Sequence, residues 1–248
     1  MRKLIVLFLL LAGCASQPAQ LDTAKDARNS ASVHTELGAG YYGRGQYAVA
    51  IQELKDAVKA DPTYAQAYNV LGLVYMTLKE DDEAGQNFEH AYSLSPKDSD
   101  INNNYGWFLC QTHREVQSIR HFLTAVANPL YSTPEKAYLN AGICSEKMGE
   151  QSNAEKYYRD ALQIQPSIPQ ANLGLARIYF GEKQYGLARR YLSRYMLMGE
   201  PTAESLWLGV RIEHALGGSD LESDYETQLK HRFPESREAQ QLNDGKFQ

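Results

Sequence analysis

The residues of this chain best suited to chemistry are three cysteines and six histidines. Cys110, His113 and His121 form the densest group, and thiolate and imidazole are common metal ligands. Their irregular spacing across two predicted helices is a poor match to zinc sites, and ordinary surface and turn histidines are the better interpretation. The sequence has no Gly-rich phosphate loop and no HExxH, GxSxG or CxxC motif. We therefore predict a non-enzymatic protein with no catalytic residue, metal, cofactor or small-molecule substrate.

Cys110 and Cys144 suggest a different use of the thiols. They lie in predicted helices of neighbouring repeat units, at nearly equivalent positions, and an oxidising compartment would permit a bridge. A disulfide needs Cα atoms within about 7 Å, whereas neighbouring helices pack about 8–10 Å apart. We hypothesise a disulfide, with two buried free thiols as the alternative.

The third thiol, Cys14, follows a short leader. An apolar run from Leu4 to Leu11 is shorter than the roughly 20 residues that span a bilayer, but it suits a secretory signal. Leu11-Ala12-Gly13-Cys14 resembles the lipobox of bacterial lipoproteins, in which the signal is removed and the cysteine carries covalent lipid. The residue after the cysteine is Ala15 rather than Asp. By resemblance to the sorting rules of enterobacterial lipoproteins, this favours the outer membrane. We expect a signal peptide at 1–13 and a lipid anchor at Cys14, with a plain signal peptide as the alternative.

Composition and charge restrict the classes of molecule that the protein is expected to bind. The net charge is −5 and no cluster of Lys and Arg is long enough to follow a phosphate backbone, which argues against nucleic acid. The same acidity disfavours broad adhesion to anionic lipid. Residues 14–30 are polar and small, which predicts a flexible tether between the anchor and the folded part.

A repeat of about 34 residues determines the fold prediction. Small residues recur at Gly38, Gly72, Gly106, Gly142, Ala176 and Gly209. A second set of mostly small residues follows each after twelve positions, then a bulky residue four further on, and a proline closes each unit. Small residues let two antiparallel helices approach closely, and bulky ones fill the space around their crossing. This is the tetratricopeptide pattern, and six units are predicted at 31–64, 65–98, 99–134, 135–168, 169–201 and 202–236.

We therefore predict an all-α fold, a right-handed superhelical solenoid whose units are stabilised by stacking. The third-to-fourth junction is longer and contains Pro129 and Pro134, which should stiffen a local loop. The sixth unit departs most from the pattern, with Gly217-Gly218-Ser219 and with Leu221 at a usually small position, so we expect it to be the terminal cap. Residues 237–248 are left as a C-terminal tail.

The first helices of such arrays line the concave face. Five side chains at groove-facing positions of the first three units form our candidate partner site: Tyr42, Asn69, Met76, Asn103 and Trp107. The asparagines suit hydrogen bonds to a partner backbone, and the other three suit an adaptable apolar floor for a bound helix. The alternative is that Met76 and Trp107 merely pack between units.

Several stretches resemble one family more narrowly. Residues 102–111, residues 128–144 and the run Pro201 to Gly209 look like the type IV pilus biogenesis lipoproteins, the PilF/PilW pilotin family. That resemblance covers the whole chain. It implies a lipid-anchored protein that binds the pilus secretin, helps it reach the outer membrane and multimerise, and so supports pilus display and twitching motility. Other pilus assembly proteins are possible additional partners. The alternatives are a periplasmic adaptor for another envelope complex, such as one of cell-wall hydrolases, and an enzyme.

Overall fold

The structure is a computed structural model that describes residues 19–218 and 220–247. Cys14 and the expected signal peptide lie outside the described residues. Over the described ranges the chain is all-helical, with the helices α1 Ala19–Gly43, α2 Tyr47–Ala60, α3 Ala65–Leu78, α4 Asp81–Leu94, α5 Ser99–Gln111, α6 Glu115–Val126, α7 Pro134–Lys147, α8 Gln151–Ile164, α9 Pro169–Gly181, α10 Tyr185–Met198, α11 Ala203–Ala215, α12 Asp220–Arg232 and α13 Arg237–Asn243. None of these helices is long and apolar enough to cross a membrane.

Consecutive helices pair into six helix-turn-helix units, from α1 with α2 to α11 with α12. Each first helix also contacts the first helix of the next unit, as α3 does with α5 and α5 with α7. The second helices of adjacent units make no such contact within the described part of the chain. The array is therefore an all-α tetratricopeptide solenoid that curves with its first helices on the inner side.

The crossing inside each unit is a small residue against a bulky one. A Cβ atom built on Gly72 would lie 2.8 Å from the ring of Phe88, and one built on Gly142 would lie 2.6 Å from Tyr158. Both aromatic side chains are completely buried. The predicted role of the small residues is thus observed, because a methyl group at either glycine would push the two helices apart.

The turn between the two helices has a constant backbone conformation that the sequence pattern did not reveal. The fifteenth residue of each of the first five units has positive φ, between 59° and 75°: Gly45, Lys79, His113, Gly149 and Lys183. A left-handed residue after a helix closes its last turn, and glycine does this without steric cost. Lysine and histidine perform the same task in three units.

Two ends of the array differ from expectation. α1 begins at Ala19, so residues 19–30, expected to belong to a flexible tether, are helical and continuous with the first unit. Arg28 holds this extension against the array, 3.8 Å from Asp61 and over the ring of Tyr64. At the other end, the sixth unit is not the last element. α13 lies over α11 and buries Ala239 and Leu242, since α11 would otherwise expose an apolar face.

The long junction between the third and fourth units is anchored at both ends. Asn128 donates to Ser99 Oγ at 3.2 Å and accepts a hydrogen bond from the Leu130 backbone at 3.0 Å. Tyr131 is buried against the adjoining helices, and Pro134 stands in the first turn of α7, where it suits a helix start.

A candidate partner-binding groove

Met76 and Trp107 lie at the same cavity on the inner face of the array. They line this cavity of about 460 Å³ between α3 and α5, together with Thr77, Lys79, Asp81, Phe108, Gln111 and Thr112. Met76 packs against the cluster around Phe88 and Phe108, and Trp107 packs against the cysteine cluster. Both are half-buried. They therefore pack between units and also offer an accessible surface, so the two interpretations of these residues are compatible.

Tyr42 lies beside the same cavity. Its hydroxyl is 3.0 Å from Thr77 Oγ1, and Thr77 is one of the cavity's lining residues. The ring of Tyr42 also lies 6.1 Å from that of Tyr47 in a tilted arrangement. Tyr42 thus connects the first unit to the second at the edge of the cavity, within reach of a ligand that fills it.

Asn69 and Asn103 have a role different from the one expected. They are only 5% and 8% exposed. The Asn69 side-chain oxygen accepts from Asn104 Nδ2 at 3.2 Å, and that of Asn103 accepts from Asn140 Nδ2 at 3.0 Å. These pairs join successive first helices across the second, third and fourth units. The groove is therefore centred on Tyr42, Met76 and Trp107, and the asparagines set the spacing of the helices behind it.

Cys110 and Cys144 are joined in a disulfide. Their Cα atoms lie 5.9 Å apart, although they belong to separate helices, because the two side chains face each other across the contact between α5 and α7. Both residues are buried, and Ser118 Oγ lies 2.9 Å from Cys144 Sγ. Trp107 packs against this cluster. The bridge therefore fixes two inner helices directly beneath one wall of the groove.

The histidines near Cys110 serve packing and turn formation. His113 is an exposed turn residue with a φ of 60°. His121 is half-buried between the rings of Tyr92 and Tyr105, with its Nδ1 atom 2.9 Å from Asn102 Oδ1. Burial lowers the pKa of His121. Within the described ranges no group of three His, Cys, Asp or Glu residues is placed to hold a metal ion.

The inner face of the later units carries ion pairs that sequence reasoning missed. Arg177 on α9 makes two hydrogen bonds to Glu146 on α7, at 2.7 and 2.8 Å, and one to Glu204 on α11 at 3.0 Å. Tyr158 donates to the same Glu146 carboxylate at 2.7 Å. The only signal in the sequence was opposite charge at inward positions of successive units.

The protonation of this network follows from its surroundings. Burial alone would raise the pKa of Glu146, but the hydrogen bonds and charge of Arg177, with the hydroxyl of Tyr158, outweigh burial and hold that pKa below its usual value. Burial and the Glu146 carboxylate both raise the pKa of the Tyr158 hydroxyl. Glu146, Arg177, Tyr158 and Glu204 thus satisfy one another's polar groups in the later units, while the cavity at Met76 and Trp107 lies in the earlier ones.

Comparison with known proteins agrees with the repeat architecture. A model described as TPR repeat matches residues 38–79, and a tetratricopeptide repeat model matches 65–98 and 135–168. The "Type IV pilus assembly protein PilF" of Pseudomonas aeruginosa is 29% identical over 242 residues, which is 96% of either chain.

Two solved structures extend the similarity to three dimensions. One is PilW, described as a widely conserved type IV pilus biogenesis factor, with a TM-score of 0.78 and 38% identity over 86% of this chain and 97% of that one. The other is the Pseudomonas aeruginosa PilF structure, with a TM-score of 0.84 and 29% identity over 90% of this chain and 99% of that one. Both matches include nearly the whole of the solved chain.

Proposed function

Because the chain belongs to the PilF/PilW family of tetratricopeptide proteins, which implies a role in type IV pilus biogenesis, we propose that it is a pilotin that binds the pilus secretin. In this role it is a non-enzymatic lipoprotein of the outer membrane that promotes secretin localisation and multimerisation. Tetratricopeptide arrays are typically scaffolds for protein interaction, in keeping with this role.

The observation that carries the proposal is the groove at Tyr42, Met76 and Trp107. A cavity of about 460 Å³ on the inner face offers the side chains of Met76, Trp107 and Phe108 to a bound segment. Aromatic and methionine side chains are favourable at such sites because they offer large contact area and adapt to the ligand's shape. Lys79 and Asp81 at the rim offer both charges for polar groups that flank an apolar anchor.

The groove wall is held in place before any partner binds. The Cys110–Cys144 disulfide fixes α5 against α7, and the Asn69–Asn104 pair fixes α3 against α5. A preformed site loses less conformational entropy on binding than a flexible one. Rigid inner helices therefore favour capture of a secretin segment.

We place the membrane anchor at Cys14, on the resemblance of residues 11–14 to a lipobox. Each buried methylene of an acyl chain contributes about 0.8 kcal/mol, so several chains on one cysteine hold a protein firmly. Anchoring would keep the groove near the membrane and raise the effective concentration of its ligand there.

The first test follows the secretin after deletion of the gene, by membrane fractionation and gel electrophoresis without boiling. We expect the heat-resistant multimer to disappear from the outer membrane and to return with the wild-type gene. Cys14→Ala should restore the multimer but leave it in the wrong membrane. An unchanged secretin in the deletion strain would contradict the proposal and favour an adaptor for another envelope complex.

A second comparison addresses the groove itself. Trp107→Ala and Met76→Ala should reduce the secretin multimer, because both remove apolar surface from the cavity. Leu123→Ala is the matched control, since Leu123 is 41% exposed and lies on the outer helix α6. Equal multimer levels in all three variants, at equal protein abundance, would place the binding surface elsewhere.

A further inference from the structure

A short segment that follows α13 lies on one stripe of α11. α13 ends at Asn243, and Gly245 has a φ of 66°, a conformation that glycine adopts without strain. The chain beyond this turn brings Phe247 onto α11. Phe247 packs against the same apolar cluster of α11 that Ala239 and Leu242 of α13 join.

Phe247 is held by two aromatic contacts, by packing against the apolar cluster of α11 and by a single hydrogen bond. Its ring stacks on that of His214, with centroids 4.2 Å apart and planes 11° from parallel, and lies 5.7 Å from that of Trp207. Arg211 Nε donates to the Phe247 carbonyl oxygen at 3.4 Å. Trp207, Arg211 and His214 are spaced by four and three residues, which places them on one face of the helix.

Arg211 is a half-buried cation without an anionic neighbour. Its guanidinium lies 4.3 Å over the ring of Phe180 on α9, and burial lowers the pKa of this side chain. Among the residues that the structure describes, no carboxylate lies within ion-pair distance of it. Guanidinium groups in such settings recognise planar carboxylates, and this one is flanked by aromatic rings.

We propose that the Trp207–Arg211–His214 stripe is a peptide-binding site for a partner segment that carries an aromatic residue beside a carboxylate, and that Phe247 occupies it in cis. Phe247 supplies the aromatic ring and a carbonyl oxygen, and the one carboxylate side chain of the described residues 243–247 is that of Asp244. Lys246 pairs with Asp244 at 2.8 Å and makes no hydrogen bond or ion pair with the stripe. The segment is thus an incomplete ligand on a short connection.

A partner segment can displace Phe247 because the two ligands make different contacts with the stripe. One partly buried side chain and one hydrogen bond are a small contact, but the tethered segment competes at an effective concentration on the order of millimolar. A partner with a carboxylate gains a charge-assisted hydrogen bond with Arg211 that Phe247 does not make. The site lies in the sixth unit, far along the array from the groove at Met76 and Trp107. The proposal therefore does not depend on secretin binding.

The test uses the full chain with Trp107→Phe, which leaves Trp207 as the only tryptophan and therefore as the reporter. The probe is the peptide NDGEFQ, which is residues 243–248 with glutamate in place of Lys246. The peptide NDGEAQ is the control ligand. Phe247→Ala opens the site in the chain, and Lys246→Ala is the matched control variant that retains the cis ligand.

We expect NDGEFQ to bind the Phe247→Ala chain at least about fivefold more tightly than the Lys246→Ala chain, because no cis competitor remains. NDGEAQ should bind neither chain, and adding Arg211→Gln should remove the binding of NDGEFQ. Trp207 emission should shift to the red in Phe247→Ala and return with NDGEFQ. Equal affinity of the two peptides, or equal affinity of the two chains for NDGEFQ, would overturn the proposal. If Phe247→Ala also lowers stability, the proposal is still tested by the emission of Trp207, which NDGEFQ should return to the wild-type position and NDGEAQ should not.

Discussion

The ring of Tyr158 lies against Gly174 so closely that a Cβ atom at Gly174 would be 2.6 Å from Cζ of the tyrosine. Gly142 approaches the opposite edge of the same ring, also with 2.6 Å to a built Cβ atom. Tyr158 therefore fills the space between α7 and α9, while its hydroxyl reaches Glu146. One side chain on a second helix thus fixes the separation of two first helices.

Gly174→Ala should destabilise the array. The new methyl group must displace a fully buried ring, and overpacking of this kind costs about 1–3 kcal/mol. Gly186→Ala is the control, because nothing lies within 4 Å of a Cβ atom there and alanine favours a helix. Urea denaturation followed by circular dichroism should show a lower midpoint for the first variant and an equal or higher one for the second. Equal midpoints for both variants would contradict the packing described for Tyr158.

Arg177→Met should weaken the coupling between the fourth, fifth and sixth units. The change leaves Glu146 and Glu204 without their shared cation, and Glu146 is largely buried. Both Arg177 and Glu146 side chains retain about 30% exposure, so we expect a loss of about 1–2 kcal/mol, less than for a fully buried pair. Arg190→Met, at an exposed position of α10, should change the urea midpoint little. A loss no larger than that of Arg190→Met would show that the network does not stabilise the fold.

The same network predicts a dependence of stability on acid. Because the pKa of Glu146 is lowered in the folded state, its contribution is complete above the pKa of the unfolded chain and is lost as pH falls through the lowered value. In Glu146→Gln the free energy of unfolding should therefore fall less steeply below pH 5 than in the wild type. An identical slope would indicate that Glu146 is not preferentially ionised in the folded array.

Removal of the disulfide should destabilise the middle of the array. Cys110→Ala with Cys144→Ala should lower the free energy of unfolding by about 2–4 kcal/mol, with part of the loss arising from a less constrained unfolded chain. A reducing agent should lower the urea midpoint of the wild type and leave that of the double variant unchanged. Alkylation of both cysteines in the folded protein without prior reduction would disprove the bridge.

His121 should make stability fall between neutral and mildly acidic pH. Burial among Tyr92, Tyr105 and Asn102 favours the neutral imidazole, so the unfolded chain binds a proton at higher pH than the folded one. The free energy of unfolding should decrease as pH falls through about 6.5, the ordinary histidine pKa. His121→Gln should reduce this slope, whereas His231→Gln, at an exposed site on α12, should preserve it.

The solenoid was predictable because its determinants recur in every unit. Gly72 and Phe88 stand at the same positions as Gly142 and Tyr158, so six copies of one packing rule could be read from the spacing. The pairing of Cys110 with Cys144 was open at that level, because the distance between helix axes does not say which way two side chains point. Only the orientation of α5 and α7 decides it.

The inner surface was harder to predict, because its side chains interact between units in ways specific to each junction. Asn69 and Asn103 look like free hydrogen-bonding groups when their own units are considered alone, yet each receives a hydrogen bond from the next unit. The contacts of Arg177 likewise join three helices. The helical extension at residues 19–30 has no apolar periodicity from which it could be predicted. Its contacts with the array include those of the charged residue Arg28.

That extension changes how motion is transmitted into the array. Twelve helical residues ahead of Ala31 form a rod about 18 Å long that continues the first helix of the array without a break, with Arg28 beside Asp61 and Tyr64. A flexible linker would absorb a pull or a rotation applied at Ala19. A continuous helix transmits it to the first unit as a torque, and the orientation of α1 then determines the direction in which the inner face of the solenoid points.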